Sequence, residues 1–181
     1  MNYKTLTFII KRFGSYQNNS RGISKYVTNI TFNGKFIPKD NYNKYWQNEI
    51  EYFIGQTDKL ENEKWWKKDP LLLNQYKKLF SNYNEIVKKI KAGSRNCTLT
   101  NSKTCITSIS FYVYRGKISL WIIQRSADVS LGLKYDYNQM FYLLKITAEK
   151  CNFKIGKLHY KIINAHIYIN NINKKNNFIL N

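Results

Sequence analysis

The residues of this chain that could support covalent chemistry are a cysteine and a polar cluster at the end of a predicted strand. The stretch WIIQRSADVSLGL at 121–133 passes from apolar residues into a cation, a hydroxyl and a carboxylate, at Arg125, Ser126 and Asp128. Cys105 opens the first strand of a predicted hairpin whose second strand ends at Arg125. Since a hairpin returns on itself, we expect thiol and guanidinium to lie close together, which lowers a thiol pKa and favours a nucleophile. A cysteine considered alone is more often a core residue, and that interpretation stays open.

Hydrophobic periodicity predicts the elements that would position these residues. Strands are predicted at 3–13, 24–37 and 157–169, with a polar loop after the first and a chain break at Gly156 before the last. Helices are predicted at 41–56, 71–91 and 137–151, a hairpin with a YRGK turn at 107–123, and an irregular or edge-strand segment at 93–104. This mixture predicts a single α+β domain over 1–181, with one mixed sheet covered on one face by helices.

The spacing around the cluster is similar to that of a known family. The pattern C-x18-QRS begins at Cys105, continues through QRSADVSLGLKYDY, and is followed by NAHIYINN near the end of the chain. In these features the chain resembles the thymidylate synthase and deoxycytidylate hydroxymethylase superfamily, as a shortened member with that superfamily's mixed sheet. The resemblance is densest over 105–170, weaker over 1–70, and faint over 71–104.

The resemblance implies a covalent reaction at a pyrimidine ring. Cys105 would add to C6 of a pyrimidine deoxynucleotide, and C5 would then attack the one-carbon unit of 5,10-methylenetetrahydrofolate. Glu49, in NEIEYF, resembles the glutamate of the family's HELLWF helix, which works with ordered water in proton transfer at the ring. Asp128, Leu131 and Gly132 would face the folate.

The resemblance also implies a nucleotide-binding set, namely Gln124, Arg125, Ser126, Arg95, Arg21, His166 and Tyr168. Arg125 and Ser126 would hold the phosphate, and Arg125 would favour the thiolate. His166 and Tyr168, in AHIY, would hold the sugar hydroxyl. In the family a pair of arginines also reaches the phosphate across a homodimer interface, and here Arg95 is followed by an asparagine. Arg21 resembles the arginine of the family's phosphate loop.

One position bears on the choice of base. GLKYDY places Asp136 where the family's uridylate enzymes carry asparagine and its deoxycytidylate hydroxymethylases carry aspartate. A carboxyl group can accept a hydrogen bond from the 4-amino group of cytosine, whereas an amide suits the N3–H and O4 of uracil. The alternative interpretation of Asp136 is an ordinary helix N-cap.

Three departures from the family pattern affect the predicted reaction. Ile106 follows the nucleophile where the synthases carry histidine, and the central insertion is reduced to something like SNYNE at 81–85. No counterpart of the C-terminal segment that closes over folate follows HIYINN, and a lid of that kind excludes water. We therefore expect folate-dependent C5 hydroxymethylation, or methylation, with dCMP favoured over dUMP.

The charge supports a different class of function. The net charge is +19, from 30 basic and 11 acidic residues, which favours polyanions or is simply a solvated lysine surface. The alternative prediction is a non-catalytic, thymidylate-synthase-like subunit of a ribonucleoprotein, such as an organellar (mitochondrial) ribosome, that binds RNA. A third possibility is a single-stranded nucleic-acid binder that stacks bases on Tyr and Trp side chains.

The remaining composition concerns the compartment. The chain has no apolar run long enough to span a bilayer, and the apolar stretch at its start is too short for a signal peptide. Three widely spaced cysteines predict neither a disulfide framework nor a zinc site. We expect a reducing intracellular location, in phage or host cytoplasm or in a mitochondrion.

Overall fold

A six-stranded mixed sheet organises the chain, which a computed structural model describes over residues 3–34, 45–61 and 63–172. The strands are β1 (Ser15–Asn19), β2 (Gly22–Gly34), β3 (Thr98–Thr100), β4 (Ile106–Tyr114), β5 (Lys117–Asp128) and β6 (Lys154–Tyr168). The helices are α1 (Tyr3–Phe13), α2 (Tyr45–Phe53), α3 (Glu63–Trp66), α4 (Pro70–Phe80), α5 (Tyr83–Lys91), α6 (Leu133–Cys151) and α7 (Ile169–Ile172). The sheet order is β1-β2-β6-β5-β4-β3, and the predicted α+β fold class is confirmed.

The centre of the sheet is its one parallel pair among the described strands, β5 and β6. Parallel neighbours need a crossover, and the 19-residue helix α6 supplies it and packs on both strands. Asp128 pairs with His166 at the end of the register, so the polar residues that end the two strands lie at the same edge of the sheet. Within the described ranges, none of the helices combines the length and apolarity that crossing a bilayer requires.

The hairpin of β4 and β5 confirms the predicted YRGK turn. Tyr114 pairs with Lys117, which leaves Arg115 and Gly116 as a two-residue connection. Both have positive φ, 47° and 70°, as expected for the turn type that matches the twist of a hairpin. Both strands extend beyond the predicted limits of 107 and 123, and the extension of β5 carries it through the polar cluster to Asp128.

The predicted first strand at 3–13 is wrong, because this segment is the helix α1. Its β-branched and aromatic residues favour a strand by propensity, but Leu6 and Ile10 are four residues apart and both fully buried. The predicted loop after it is also wrong. Residues Ser15–Asn19 form β1, an edge strand that pairs with the start of β2 around a turn at Ser20 and Arg21.

Two other segments differ from their predictions. The single helix predicted at 71–91 is two helices, α4 and α5, and Asp69 caps α4 by accepting a hydrogen bond from the Leu72 amide at 2.9 Å. Residues 35–44, which include the predicted start of α2 and the end of the second strand, lie outside the described residues. The predicted edge strand within 93–104 is confirmed as β3.

Gly156 lies inside β6, so its prediction as a break before the strand is wrong. A Cβ atom at this position would come within 2.3 Å of Ser119 Oγ and 2.6 Å of the Ile118 carbonyl oxygen. The absence of a side chain therefore lets β6 approach β5 at the irregularity between Ile118 and Leu120.

We expect the substitution Gly156→Ala to lower the free energy of unfolding by about 1–3 kcal/mol, because the clash includes backbone that cannot rotate away. Urea unfolding followed by circular dichroism measures the loss. Gly132→Ala is the matched control, since the nearest atom to its added Cβ is at 3.7 Å, ordinary contact distance. Equal stability of the two variants would contradict this account of β6.

Candidate active site

The end of the β4–β5 hairpin brings Cys105 and Arg125 together. The Arg125 amide donates a hydrogen bond to the Cys105 carbonyl at 2.8 Å, and Arg125 Nε donates to the Thr104 carbonyl at 3.0 Å. The guanidinium is thereby held beside the thiol. Cys105 is partly exposed, whereas the other two cysteines, Cys97 and Cys151, are buried. Cys105 is therefore the thiol that a ligand can reach.

The pKa of the Cys105 thiol is raised, contrary to the expectation of a lowered value. Burial is the largest cause, and the charge of Asp136 adds to it. The cations Arg125 and Arg21 and a hydrogen bond with the Tyr76 hydroxyl act in the opposite direction and only partly offset the increase. The predicted effect of Arg125 is thus present, but desolvation outweighs it. The resting thiol is mainly protonated at neutral pH.

Asp136 lies in the first turn of α6 and faces the interior of the site. Burial raises the pKa of this carboxyl to about 6, and the charge of Glu49 contributes to the increase. Gln124 Nε2 donates to Asp136 Oδ2 at 2.6 Å, which partly offsets it. Because Gly132 is the N-cap of α6, the alternative interpretation of Asp136 as an N-cap is wrong.

Gln124 is buried and held in one orientation by its neighbours. The Tyr160 hydroxyl donates to Gln124 Oε1 at 2.6 Å, and Gln124 Nε2 also donates to the Ser126 carbonyl at 3.0 Å. Since its oxygen accepts from Tyr160, the amide presents its nitrogen to Asp136. A chain of polar groups therefore runs from β6 through β5 to the first turn of α6.

The second carboxylate of the site, Glu49, is on α2 and is buried. Trp66 Nε1 donates to Glu49 Oε1 at 3.0 Å, and Gln139 Nε2 donates to Glu49 Oε2. The negative charge of Glu49 acts on Asp136. The site thus combines a thiol, two carboxyl groups that influence each other, and flanking arginines.

An aromatic cluster fixes the two aromatic residues that contact these groups. Phe53 stacks on Tyr76 at 5.6 Å and on Phe80 at 5.8 Å between ring centroids, and it meets Trp66 edge-on at 5.6 Å. The cluster ties α2, α3 and α4 together. It therefore holds Trp66 against Glu49 and the Tyr76 hydroxyl against Cys105.

Arg21 and Tyr168 meet at a small cavity on the other side of the site. The cavity has a volume of about 180 Å³ and is also lined by Gly22, Ile23, Ile169 and Asn170. Arg21 reaches this place because β2 pairs with β6, with Ser24 opposite Tyr168. The charge of Arg21 acts on both Cys105 and His166, so one cation faces the thiol and the strand end together.

The strand end itself carries His166 and Asp128. Burial lowers the pKa of His166, and the charge of Asp128 opposes this only in part. Asp128 Oδ1 accepts hydrogen bonds from the Ser130 amide at 2.9 Å and from its hydroxyl at 2.6 Å. The imidazole is therefore neutral at pH 7, where it can both donate and accept a hydrogen bond.

The remaining predicted site residues differ in their position and in their exposure. Leu131 is exposed in the short segment between β5 and α6, and Gly132 lies next to the Asp136 carboxyl. Ser126 is partly buried on β5. Arg95 is exposed in the segment that joins α5 to β3, whereas the cations that act on the thiol are Arg125 and Arg21.

Sequence reasoning missed four residues of the site: Trp66, Tyr76, Gln139 and Tyr160. The three aromatic residues follow patterns that a core residue would also follow, so nothing in the sequence shows that their polar atoms face the site. Gln139 had an available signal. It stands three residues after Asp136, which directly precedes the helix predicted at 137–151. In the observed helix α6, which starts at Leu133, this spacing places both side chains on one face.

The chain is similar to known proteins over most of its length. A family profile described as Thymidylate synthase matches residues 46–180. The chain is 32% identical over 143 residues to the thymidylate synthase of Idiomarina loihiensis, covering 73% of this chain and 50% of the relative. It is 31% identical over 156 residues to that of Aster yellows witches'-broom phytoplasma, covering 72% of this chain and 53% of the relative.

A third relative has a higher identity over a shorter length. The thymidylate synthase of Aliivibrio fischeri is 41% identical over 66 residues, 36% of this chain and 23% of the relative. Together with the profile match, these relatives establish that the chain belongs to the thymidylate synthase family. Some of these matches cover most of this chain. In them the chain spans about half the length of the curated relative.

Proposed function

We propose that the chain transfers a one-carbon unit to C5 of a pyrimidine deoxynucleotide, by hydroxymethylation or methylation, and that it favours dCMP over dUMP. The observation that carries the proposal is the placement of an accessible thiol, Cys105, beside Arg125 and facing Asp136. A cysteine that served only to fill the core would not be accompanied by two arginines and a carboxyl group of raised pKa. Family membership supports the same class of reaction.

The chain's own residues account for the steps at the ring. Arg125 and Arg21 bind the 5′-phosphate, and His166 and Tyr168 hold the sugar hydroxyl. The Cys105 sulfur gives up its proton and bonds to C6, and the electron pair of the C5–C6 double bond moves toward C5. C5 then bonds to the one-carbon unit and loses its own proton to a base. That carbon would then part from the folate and take up either water, in hydroxymethylation, or a hydride from the folate, in methylation. Cys105 leaves C6 as the double bond re-forms. Glu49 is the group placed to hold and return protons through water at the ring.

The choice of base follows from the proton on Asp136. A protonated carboxyl offers a donor to cytosine N3 and an acceptor to the 4-amino group, a complementary pair. Because Gln124 donates to Asp136 Oδ2, the proton lies on Oδ1, and a carboxyl fixed in this way does not match uracil, which presents the opposite pattern with N3–H and O4. Because the pKa of Asp136 is raised to about 6, a proton is available there at slightly acid pH.

The residues present fit 5,10-methylenetetrahydrofolate as the one-carbon donor. That group supplies carbon at the oxidation level of formaldehyde. Leu131 offers an exposed apolar side chain, Asp128 a carboxylate for ring N–H groups, and Gly132 a backbone whose added Cβ would meet no atom nearer than 3.7 Å. These three residues form one segment beside Asp136, where an apolar ring that bears N–H groups can pack.

The partner that the sheet favours is a second copy of the chain. The outward face of β4, β5 and β6 carries exposed side chains that alternate with the core, namely Tyr112, Tyr114, Trp121, Ile123 and Ile163. Trp121 stacks on His159 at 4.3 Å. A patch of this kind is unusual on a monomer. A homodimer through this face covers it and allows Arg95 of one protomer to approach the phosphate site of the other.

RNA binding is the second candidate function, and the same face and the net charge of +19 favour it. Stacked pairs such as Tyr112 with Tyr114 offer platforms for bases, and Lys117 and Lys161 lie on the same face. Such binding would weaken steeply with salt. A ribonucleoprotein subunit would need neither Cys105 nor Asp136.

Calorimetry separates the two functions. We expect saturable binding of dCMP, stronger than that of dUMP, at two salt concentrations, and C5 transfer when methylenetetrahydrofolate is added. Sedimentation of the same samples should show a dimer. The enzyme proposal fails if neither nucleotide binds while a single-stranded RNA binds tightly, loses affinity in high salt, and is indifferent to the Cys105→Ser substitution.

A further inference from the structure

Each of the two carboxyl groups of the site is approached by a glutamine. Gln124 donates to Asp136 and Gln139 donates to Glu49. The first glutamine belongs to the QRS motif, whereas the second was not predicted as a site residue. We infer that Gln139 is a positioning residue that holds Glu49 in its ionised form and so leaves the single proton of the carboxyl pair on Asp136. This inference about the proton does not depend on the proposed function. Its consequence for the choice between cytosine and uracil does rest on the proposed function.

Helix geometry places Gln139 where it can link the two acids. It follows Asp136 by three residues in α6, so both side chains lie on the helix face that packs against α2, which carries Glu49. An ionised carboxylate only accepts hydrogen bonds, which fixes the Gln139 nitrogen as the donor. With Trp66 on the other oxygen, both oxygens of Glu49 accept a hydrogen bond from a neutral donor.

The number of donors decides which acid keeps the proton. Two buried carboxyl groups that influence each other cannot both ionise easily, so the group with the stronger hydrogen bonds to its charged form ionises first. Glu49 accepts from Trp66 and Gln139, whereas the donor that acts on Asp136 is Gln124. Burial is the main cause of the raised pKa of Asp136, and the negative charge left on Glu49 adds to it.

The other titratable groups that face Asp136 and Glu49 do not change which of the two keeps the proton. Tyr76 on α4, Tyr160 on β6 and Cys105 directly before β4 all have raised pKa values, so they are neutral near pH 7. Arg125 on β5 and Arg21 in the β1–β2 turn are the cations, and their charge acts on Cys105. The difference between Glu49 and Asp136 therefore depends on their immediate hydrogen-bond donors.

The test follows both carboxyl groups directly by carbon NMR titration of the free protein, labelled at the Asp and Glu carboxyls. Gln139→Met removes the donor and keeps the length of the side chain, and Asp136→Asn assigns the Asp136 signal. In Gln139→Met we expect the Asp136 midpoint to fall by about one pH unit or more and the Glu49 midpoint to rise. Gln56→Met, the same change at an exposed position, should move neither.

The outcomes are distinguishable from those of the proposed function, because no nucleotide is present. An Asp136 midpoint that is unchanged in Gln139→Met overturns the inference, even if the protein transfers one-carbon units. A shifted midpoint in a protein that binds no nucleotide supports the inference and counts against the proposed function alone. If Gln139→Met does not fold, Gln139→Asn, which keeps a shorter amide, should give a smaller shift in the same direction, and no shift overturns the inference.

Discussion

Replacement of Cys105 by serine is expected to lower the rate of C5 transfer by at least about a thousandfold. A serine hydroxyl has nearly the same size but loses its proton far less readily, so the bond to C6 does not form. Nucleotide affinity should stay within a few-fold, because Arg125, Arg21 and Asp136 remain in place around the substituted atom. This is the largest effect that the proposed function predicts for a single side chain.

Release of tritium from C5 of labelled dCMP measures this loss, and calorimetry measures the affinity on the same sample. Cys97→Ser is the matched control. Its thiol is buried and donates to the Ser94 carbonyl at 3.2 Å, a bond that serine preserves away from the site. Equal rates for the Cys105→Ser protein and the parent protein would rule out a covalent role for this thiol.

The substitution Asp136→Asn is expected to reverse the preference between bases, with a change of about 100-fold or more in the ratio of dCMP to dUMP affinity. With its oxygen toward uracil N3–H and its nitrogen toward O4 the amide matches uracil, and in this orientation it leaves both polar groups of cytosine mismatched. In the parent protein, dCMP binding should weaken as pH rises above about 6, because Asp136 then loses its proton. In the variant this dependence should disappear.

Competition between the two nucleotides over pH 5–8 gives the ratio and the pH profile. Asp58→Asn, at an exposed position, is the control for loss of a negative charge.

The pH dependence of stability offers a second measure of the Asp136 proton. Since the pKa of Asp136 is higher in the folded state than in the unfolded chain, its stabilising contribution is complete at low pH and is lost as pH rises through about 6. Between about pH 4, near the ordinary pKa of an aspartate, and about pH 6, the parent protein should lose roughly 3 kcal/mol of stability relative to the variant.

The sequence was informative wherever a local pattern determined the geometry. The hairpin with its Arg115-Gly116 turn follows from alternation and turn chemistry, and the approach of Cys105 to Arg125 follows from the hairpin. The helix α1 was predicted as a strand, because its composition favours a strand and only the fully buried pair Leu6 and Ile10 shows the helical spacing. Propensity was overruled there by packing.

The electrostatics of the site could not be predicted in the same way. The arginine beside Cys105 suggested a lowered thiol pKa, but the net direction depends on how deeply the thiol is buried and on Asp136, which is 31 positions further along the chain. Likewise, the donors Trp66 and Gln139 converge on Glu49 from two different helices. The burial of the thiol and the meeting of these donors at one carboxylate arise only when the helices and strands pack together, so the sequence pattern does not predict them.

The pairing of β2 with β6 has a consequence for synthesis of the chain. Gln17 on β1 accepts a hydrogen bond from the side-chain amide of Asn164 on β6, across a separation of 147 positions. On the ribosome, the β1–β2 hairpin that carries Arg21 emerges well before β6, yet its place in the sheet exists only after β6 has been made. The corner formed by Arg21 and Tyr168 is therefore the last part of the site to assemble on a nascent chain. A translation product that ends before β6 would retain Cys105 and Arg125 but would lack this corner.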